Sequence, residues 1–223
     1  MNEGTNKIKR ISIGLLGISP VGKSCILNSF MGGNYLKLDM INKNDNTAVK
    51  IIETEKSKKI KVIVYDTPGQ ERFLSFAERL IRSLHGIVLI FDLTNRDTFN
   101  NIDRLMKFIE ENSRKPNVVL FGNKADDIDR RQVTVEEAEN LAKKYNIKYF
   151  ETSAKTNMNI NEGFNYIVNI CYDKMTERYE NFFELKDEKE DKHGCMGKKK
   201  KIRIRKENKK YQSKIMMIII KKD

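Results

Sequence analysis

The sequence predicts an α/β fold: an open, mostly parallel six-stranded sheet with helices on both faces. Two observations carry this. Short, nearly continuous apolar runs recur along the chain, and they alternate with stretches whose apolar residues fall at helical spacing. Continuous apolar runs mark strands buried on both faces, which parallel sheets require because helical crossovers cover them. The alternation occurs six times without an internal repeat, the pattern of a doubly wound sheet.

The elements follow in order. Ile8–Gly17 is an apolar run ending in glycine, and Val21–Phe30 reads as a helix that starts inside a Gly-rich turn. Val49–Glu55 and Ile60–Asp66 alternate as a strand pair, with Lys56–Lys59 as the turn. Glu71–Ser83 has helical spacing. Gly86–Asp92 is a continuous apolar run, and Asp97–Asn112 is a helix with Phe99, Ile102, Leu105, Met106 and Ile109 on its apolar side. Val118–Gly122 is a short buried strand. Thr134 and Glu137 form a capping-box start for a helix to about Tyr145. Ile147–Thr152 is the last strand, and Ile160, Phe164, Ile167, Val168 and Cys171 stripe a final helix. A domain over 1–182 and a charged tail over 183–223, expected to be disordered, account for the whole chain.

Composition narrows the class. The 223 residues suit one α/β domain plus a tail, and the hydrophobic content of 39% supports a sizeable core. No apolar run nears the ~20 residues that span a bilayer. The start, Met1-Asn2-Glu3-Gly4, fits neither a signal peptide nor a myristoylation site. Three cysteines (Cys25, Cys171, Cys195) offer no disulfide framework, so a cytoplasmic setting is the expectation. The net charge of +12 is concentrated: twelve Lys/Arg lie within 198–223, opposed only by Glu207 and Asp223. The anionic partner is therefore one of the tail, not of the body.

Gly17-Ile18-Ser19-Pro20-Val21-Gly22-Lys23-Ser24 matches G-x-x-x-x-G-K-[ST], with a predicted strand before it and a helix after. Gly17, Ser19, Val21 and Gly22 let backbone N–H groups curl round phosphates, and the helix N-terminus, continuing through Cys25, adds partial positive charge. Lys23 can neutralise the β- and γ-phosphates and Ser24 can ligate Mg²⁺. The fold is thus of the P-loop NTPase type. Pro20 lacks an N–H, so either the cradle loses a donor or that donor would have faced away from phosphate.

Asp66-Thr67-Pro68-Gly69-Gln70-Glu71 closes a strand. A carboxylate there lies where ligands bind in such sheets. Asp66 can hold Mg²⁺ through water, Gly69 N–H can meet the γ-phosphate, and Gln70 can orient the attacking water, with Lys23 as its catalytic companion. Asn123-Lys124-Ala125-Asp126 and Glu151-Thr152-Ser153-Ala154-Lys155 each follow a predicted strand. Asp126 can accept from guanine N1–H and the N2 amine, whereas adenine would turn a lone pair on it. The Lys124 stem can cover one face of the base, and Ala154 N–H can donate to O6.

In this order, GISPVGKS, DTPGQERF, NKAD and ETSAK make the chain resemble the small GTPases of the Ras superfamily. Gly86–Thr94 and Arg72-Phe73 are most similar to the Rab branch. The likeness covers about residues 8–175. It implies a GTP/GDP switch with Mg²⁺, acting as a monomer with exchange factors, GTPase-activating proteins and effectors, and a role in vesicle traffic at endomembranes. It implies that Tyr35 borders the guanine. It also implies a switch I threonine, whose usual spacing from Lys23 falls on Asn42; the first threonine after the loop is Thr47. Either a rearranged loop delivers Thr47 to the metal, or Asn42 substitutes, or the site is degraded. Pro68 stands where the family has alanine and Tyr65 where Rab proteins have tryptophan, so effector identity does not transfer.

Rab-type chains end in prenylated cysteines; here the only tail cysteine, Cys195, lies 28 residues from the end. What remains is the basic run Lys198–Lys210 and the apolar Ile215–Ile220. Attachment to an anionic membrane surface is the first expectation for it. A nuclear-targeting or nucleic-acid-binding tail is the second, and a C-terminus altered by an unspliced intron or frameshift the third. For the whole chain, a slow GTP hydrolase used as a switch is the leading expectation. A guanine-nucleotide-binding adaptor with little hydrolysis is the alternative.

Overall fold

The computed structural model describes residues 9–33, 46–53, 59–67, 74–113 and 116–190. Tyr35, Asn42, Pro68, Gly69, Gln70, Arg72, Phe73, Cys195 and the tail runs lie outside the described residues. The chain divides into two units, Met1–Asp173 and Lys174–Asp223.

Strands β1 (Lys9–Leu16), β2 (Thr47–Glu53), β3 (Lys59–Asp66), β4 (Gly86–Asp92), β5 (Asn117–Asn123) and β6 (Lys148–Glu151) form one sheet in the order β2-β3-β1-β4-β5-β6. Among the described strands only β2 runs antiparallel, against β3. The expected α/β architecture is therefore present. Period-2 alternation sorts each central strand's side chains between two cores. On β4, Val88 and Ile90 enter one core while Ile87, Leu89 and Phe91 enter the other, and all seven residues are buried. The first core meets helices α1 (Lys23–Phe30) and α6 (Ile160–Glu190); Phe30 stacks on Phe164 with ring centroids 3.9 Å apart. The second core meets α2 (Leu74–Ile81), α4 (Ile102–Asn112) and α5 (Val135–Lys144). Burying each such side chain contributes roughly 1.5–3 kcal/mol.

Local sequence sets the helix ends. The capping box forms as read: Thr134 Oγ1 accepts from Glu137 N–H, and the Glu137 carboxylate accepts from Thr134 N–H. Helix α1 starts at Lys23 rather than Val21, because Gly22 takes φ 90° in the left-handed region. The helix expected over Asp97–Asn112 is two: α3 (Arg96–Asn100), begun by Asn95 accepting from Asp97 N–H, and α4. Between them Asn101 donates both its backbone N–H and its side-chain amide to the Asp97 carbonyl, at 3.2 and 2.9 Å. At the end of α1, Lys50 of β2 donates to the Phe30 carbonyl and lies over its ring, 4.3 Å from the centroid. Burial pushes that amine below its ordinary pKa.

All five residues of the expected α6 stripe are buried. In the second unit, helical residues extend to Glu190. No helix among the described residues is long and apolar enough to cross a membrane.

Candidate functional site

The C-terminal ends of the parallel strands bring the motifs of the first unit together. Gly17 follows β1 with no room for a side chain: a Cβ there would sit 2.4 Å from the Ile90 carbonyl oxygen and 2.9 Å from Val21 Cγ2. A Cβ on Gly22 would meet the Asn123 amide nitrogen at 2.6 Å, besides the strain of its positive φ. Both glycines are therefore dictated by close approach of chain to chain. Ser19 and Pro20 are exposed in the loop, joined by a cis peptide bond, and Val21 N–H donates to the Ile18 carbonyl at 3.2 Å.

Lys23 is buried and folds back, its Nζ donating to the Gly17 carbonyl at 2.8 Å. Burial holds its pKa below the ordinary lysine value, against the opposing pull of Asp66. Ser24 donates its hydroxyl to Asp66 Oδ2. Burial raises the Asp66 pKa, and the Ser24 hydrogen bond and Lys23 oppose it. The other oxygen, Asp66 Oδ1, is buried with no hydrogen-bond partner among the described residues. These groups fit Mg²⁺: an orphaned carboxylate oxygen beside a hydroxyl is a hard, all-oxygen donor set. Mg²⁺ also commonly takes only one or two protein ligands, with phosphates and waters supplying the rest. Thr67, next along, is buried with its hydroxyl donating to the Leu15 carbonyl at 2.5 Å. Cys25, half-buried on α1, has its thiol pKa raised by burial, then by Asp66.

Thr47 opens the edge strand β2 in register with Tyr65, while Asn46 O accepts from Asp66 N–H at 2.8 Å. The threonine thus stands one step along the ladder from Asp66.

The other wall joins three distant segments through one side chain. Asn123, 2% exposed at the end of β5, donates its amide to the Val21 carbonyl at 2.9 Å. Its Oδ1 accepts from Ala154 N–H at 3.2 Å. The Ala154 donor expected to await guanine O6 is therefore already engaged, because the Asn123 side chain reaches it from the neighbouring strand. Asp126 is held by Ser153 Oγ at 2.6 Å and by Lys155 Nζ at 3.7 Å. Arg131 pairs with Glu151, bracing the loop after β5 against β6. Ser29 of α1 donates to Asn157 Oδ1 at 2.8 Å, tying the first helix to the last loop.

Sequence reasoning missed Asp92. It ends β4 as Asp66 ends β3, and it pairs with Lys124 Nζ at 2.5 Å. The same signal, a carboxylate closing a buried strand, was available for both.

The sequence profile of the Ras family matches residues 12–173. Ras-related protein Rab-13 of Mesocricetus auratus is 40% identical over 152 residues, covering 68% of this chain and 74% of its own length. RAB1BV of Beta vulgaris is 40% identical over 156 residues, covering 69% and 72%. RABE1d of Arabidopsis thaliana is 38% identical over 169 residues, covering 75% and 78%.

Proposed function

Because the chain belongs to the Ras family and is a small GTPase close to the Rab branch, we propose that it exchanges GDP for GTP, hydrolyses GTP slowly with Mg²⁺, and thereby regulates membrane traffic through effectors. One observation supports this most: Asn123 links the phosphate loop, the Asn123–Asp126 segment and the Ser153–Lys155 segment into one wall. No single motif needs that arrangement; a site that reads phosphate and base together does.

In this reading Lys23 leaves the Gly17 carbonyl for the β- and γ-phosphates, and the N–H groups of the 17–22 loop and the start of α1, through Cys25, surround them. Ser24, Asp66 and Thr47 are the groups that would hold Mg²⁺, which when bound would neutralise phosphate charge. Asp126 accepts from guanine N1–H and the N2 amine, steadied by Ser153 and Lys155. The Lys124 stem covers one face of the base, Tyr35 borders it, and Ala154 shares its N–H between Asn123 and O6. Gly69 meets the γ-phosphate, and Gln70 orients water. The partners are an exchange factor, a GTPase-activating protein and effectors, met by a monomer on cytoplasmic faces of endomembranes. The basic tail binds anionic lipid there, at ~1 kcal/mol per basic residue near the surface.

Single-turnover hydrolysis by the purified full chain tests the reading. Mg²⁺-dependent γ-phosphate release on the order of 10⁻⁴–10⁻² s⁻¹ is expected, and Gln70→Leu should suppress it. Tight guanine-nucleotide binding without release over hours would instead establish an adaptor, the reading that Pro20 and its missing N–H favour. Liposome binding that ignores lipid charge, or survives deletion of 198–223, would overturn the membrane assignment.

A further inference from the structure

We propose that Asp92 is a positioning residue for the bound base, acting through Lys124; this rests on the reading of Lys124 given above. Asp92 closes the central strand β4 directly opposite Asn123, its register partner on β5. Its side chain is only 5% exposed, and both oxygens are engaged. Oδ1 accepts from Thr94 N–H at 2.9 Å and from the Thr94 hydroxyl at 2.7 Å. Oδ2 takes Lys124 Nζ at 2.5 Å.

A carboxylate this deep is tolerated only when paired. The other two cations of the loop bond elsewhere, Arg130 to Asp127 and Arg131 to Glu151, and Arg130 feels the Asp92 charge only through space. Lys124 therefore supplies the counter-charge. Its backbone sits at φ 66°, in the left-handed region that non-glycine residues seldom adopt. The turn fixes one end of the side chain and Asp92 fixes the other. A four-carbon stem held at both ends is a stationary apolar surface, with its rotamer freedom already lost before a base arrives. Asp92 thus converts a long, mobile cation into a preformed wall for a planar ring.

The test is a double-mutant cycle on GDP release from the full-length, Mg²⁺-loaded protein. Asp92→Asn preserves shape and the acceptor for Thr94 but presents an amide to the ammonium. It should speed release about tenfold, the scale of one lost charge-assisted hydrogen bond. Lys124→Ala should speed release too, and adding Asp92→Asn to it should change the rate by less than about twofold, since coupled residues are not additive. Thr94→Val removes a contact of Oδ1 without touching Lys124, and should leave release within about twofold of wild type. Unchanged release in Asp92→Asn, with Lys124→Ala fast, removes Asp92 from the site and leaves the reading of Lys124 standing. Additive effects, or a Thr94→Val rate matching Asp92→Asn, assign Asp92 to holding the turn and overturn the proposal. Unchanged release in Lys124→Ala refutes the reading of Lys124 and the proposal with it.

Discussion

The two walls of the site are built in opposite ways. On the base-reading side, side chains bond across segments: Asn123 to Val21 and Ala154, Ser153 to Asp126, Arg131 to Glu151. Those contacts frame a pocket and can persist when a ligand enters. On the phosphate side, the reactive groups bond to each other: Lys23 to the Gly17 carbonyl, Ser24 to Asp66. A phosphate and a metal must displace those contacts to bind. One wall is a preformed frame and the other a set of stand-in bonds. Affinity should therefore depend on the frame, and metal dependence on the exchange of stand-ins.

Breaking the frame should do the most damage. Asn123→Ala leaves the Val21 carbonyl and Ala154 N–H unsatisfied, each costing ~1–3 kcal/mol. GDP release, followed by a fluorescent nucleotide, should accelerate by roughly 10²–10³-fold. Asp126→Asn leaves the frame largely in place but reverses one hydrogen-bond polarity. In competition binding, guanine should lose at least roughly a hundredfold against xanthine, whose C2 carbonyl suits an amide. A guanine preference that survives would place the base elsewhere.

Asp66→Asn addresses the stand-ins. The ratio of GDP release in EDTA to that in Mg²⁺ should fall toward one. The same variant should melt higher than wild type when nucleotide-free at pH 7. The sign follows from burial, which raises the Asp66 pKa above its ordinary 3.8. The ionised carboxylate then opposes folding, fully above the raised value and not at all below the ordinary one. The advantage of the amide should accordingly vanish in acid.

The smallest effect lies outside both walls. Arg96, then Thr134, holds the Glu137 carboxyl down at about 2 against its ordinary 4.5. Its stabilising contribution is complete above the ordinary value and lost as pH falls toward about 2. Glu137→Gln should flatten acid unfolding, followed by circular dichroism, in that window and leave GDP release unchanged.

The frame was more legible in the sequence than its bonding. The run Gly86–Asp92 announced a strand buried on both faces, and the structure buries every residue of it. The Thr134–Glu137 box was readable because both partners lie within one helical turn. The break at Asn101 was not, because apolar residues at Phe99, Ile102 and Met106 keep helical spacing across it. The motif residues were found because their spacing is local. Arg131 and Ser29 were not, because their partners lie 20 and 128 residues away along the chain. Pairings of that range follow from strand order, which no local pattern states.

Helix α1 has a mechanical consequence. Its eight residues make a rod about 12 Å long. Lys23 and Ser24 stand at one tip, and the ammonium of Lys50 grips the other. The edge strand β2 is thereby bolted to the rod that carries Lys23 and Ser24, so displacement of that edge has a short, stiff route to those two side chains.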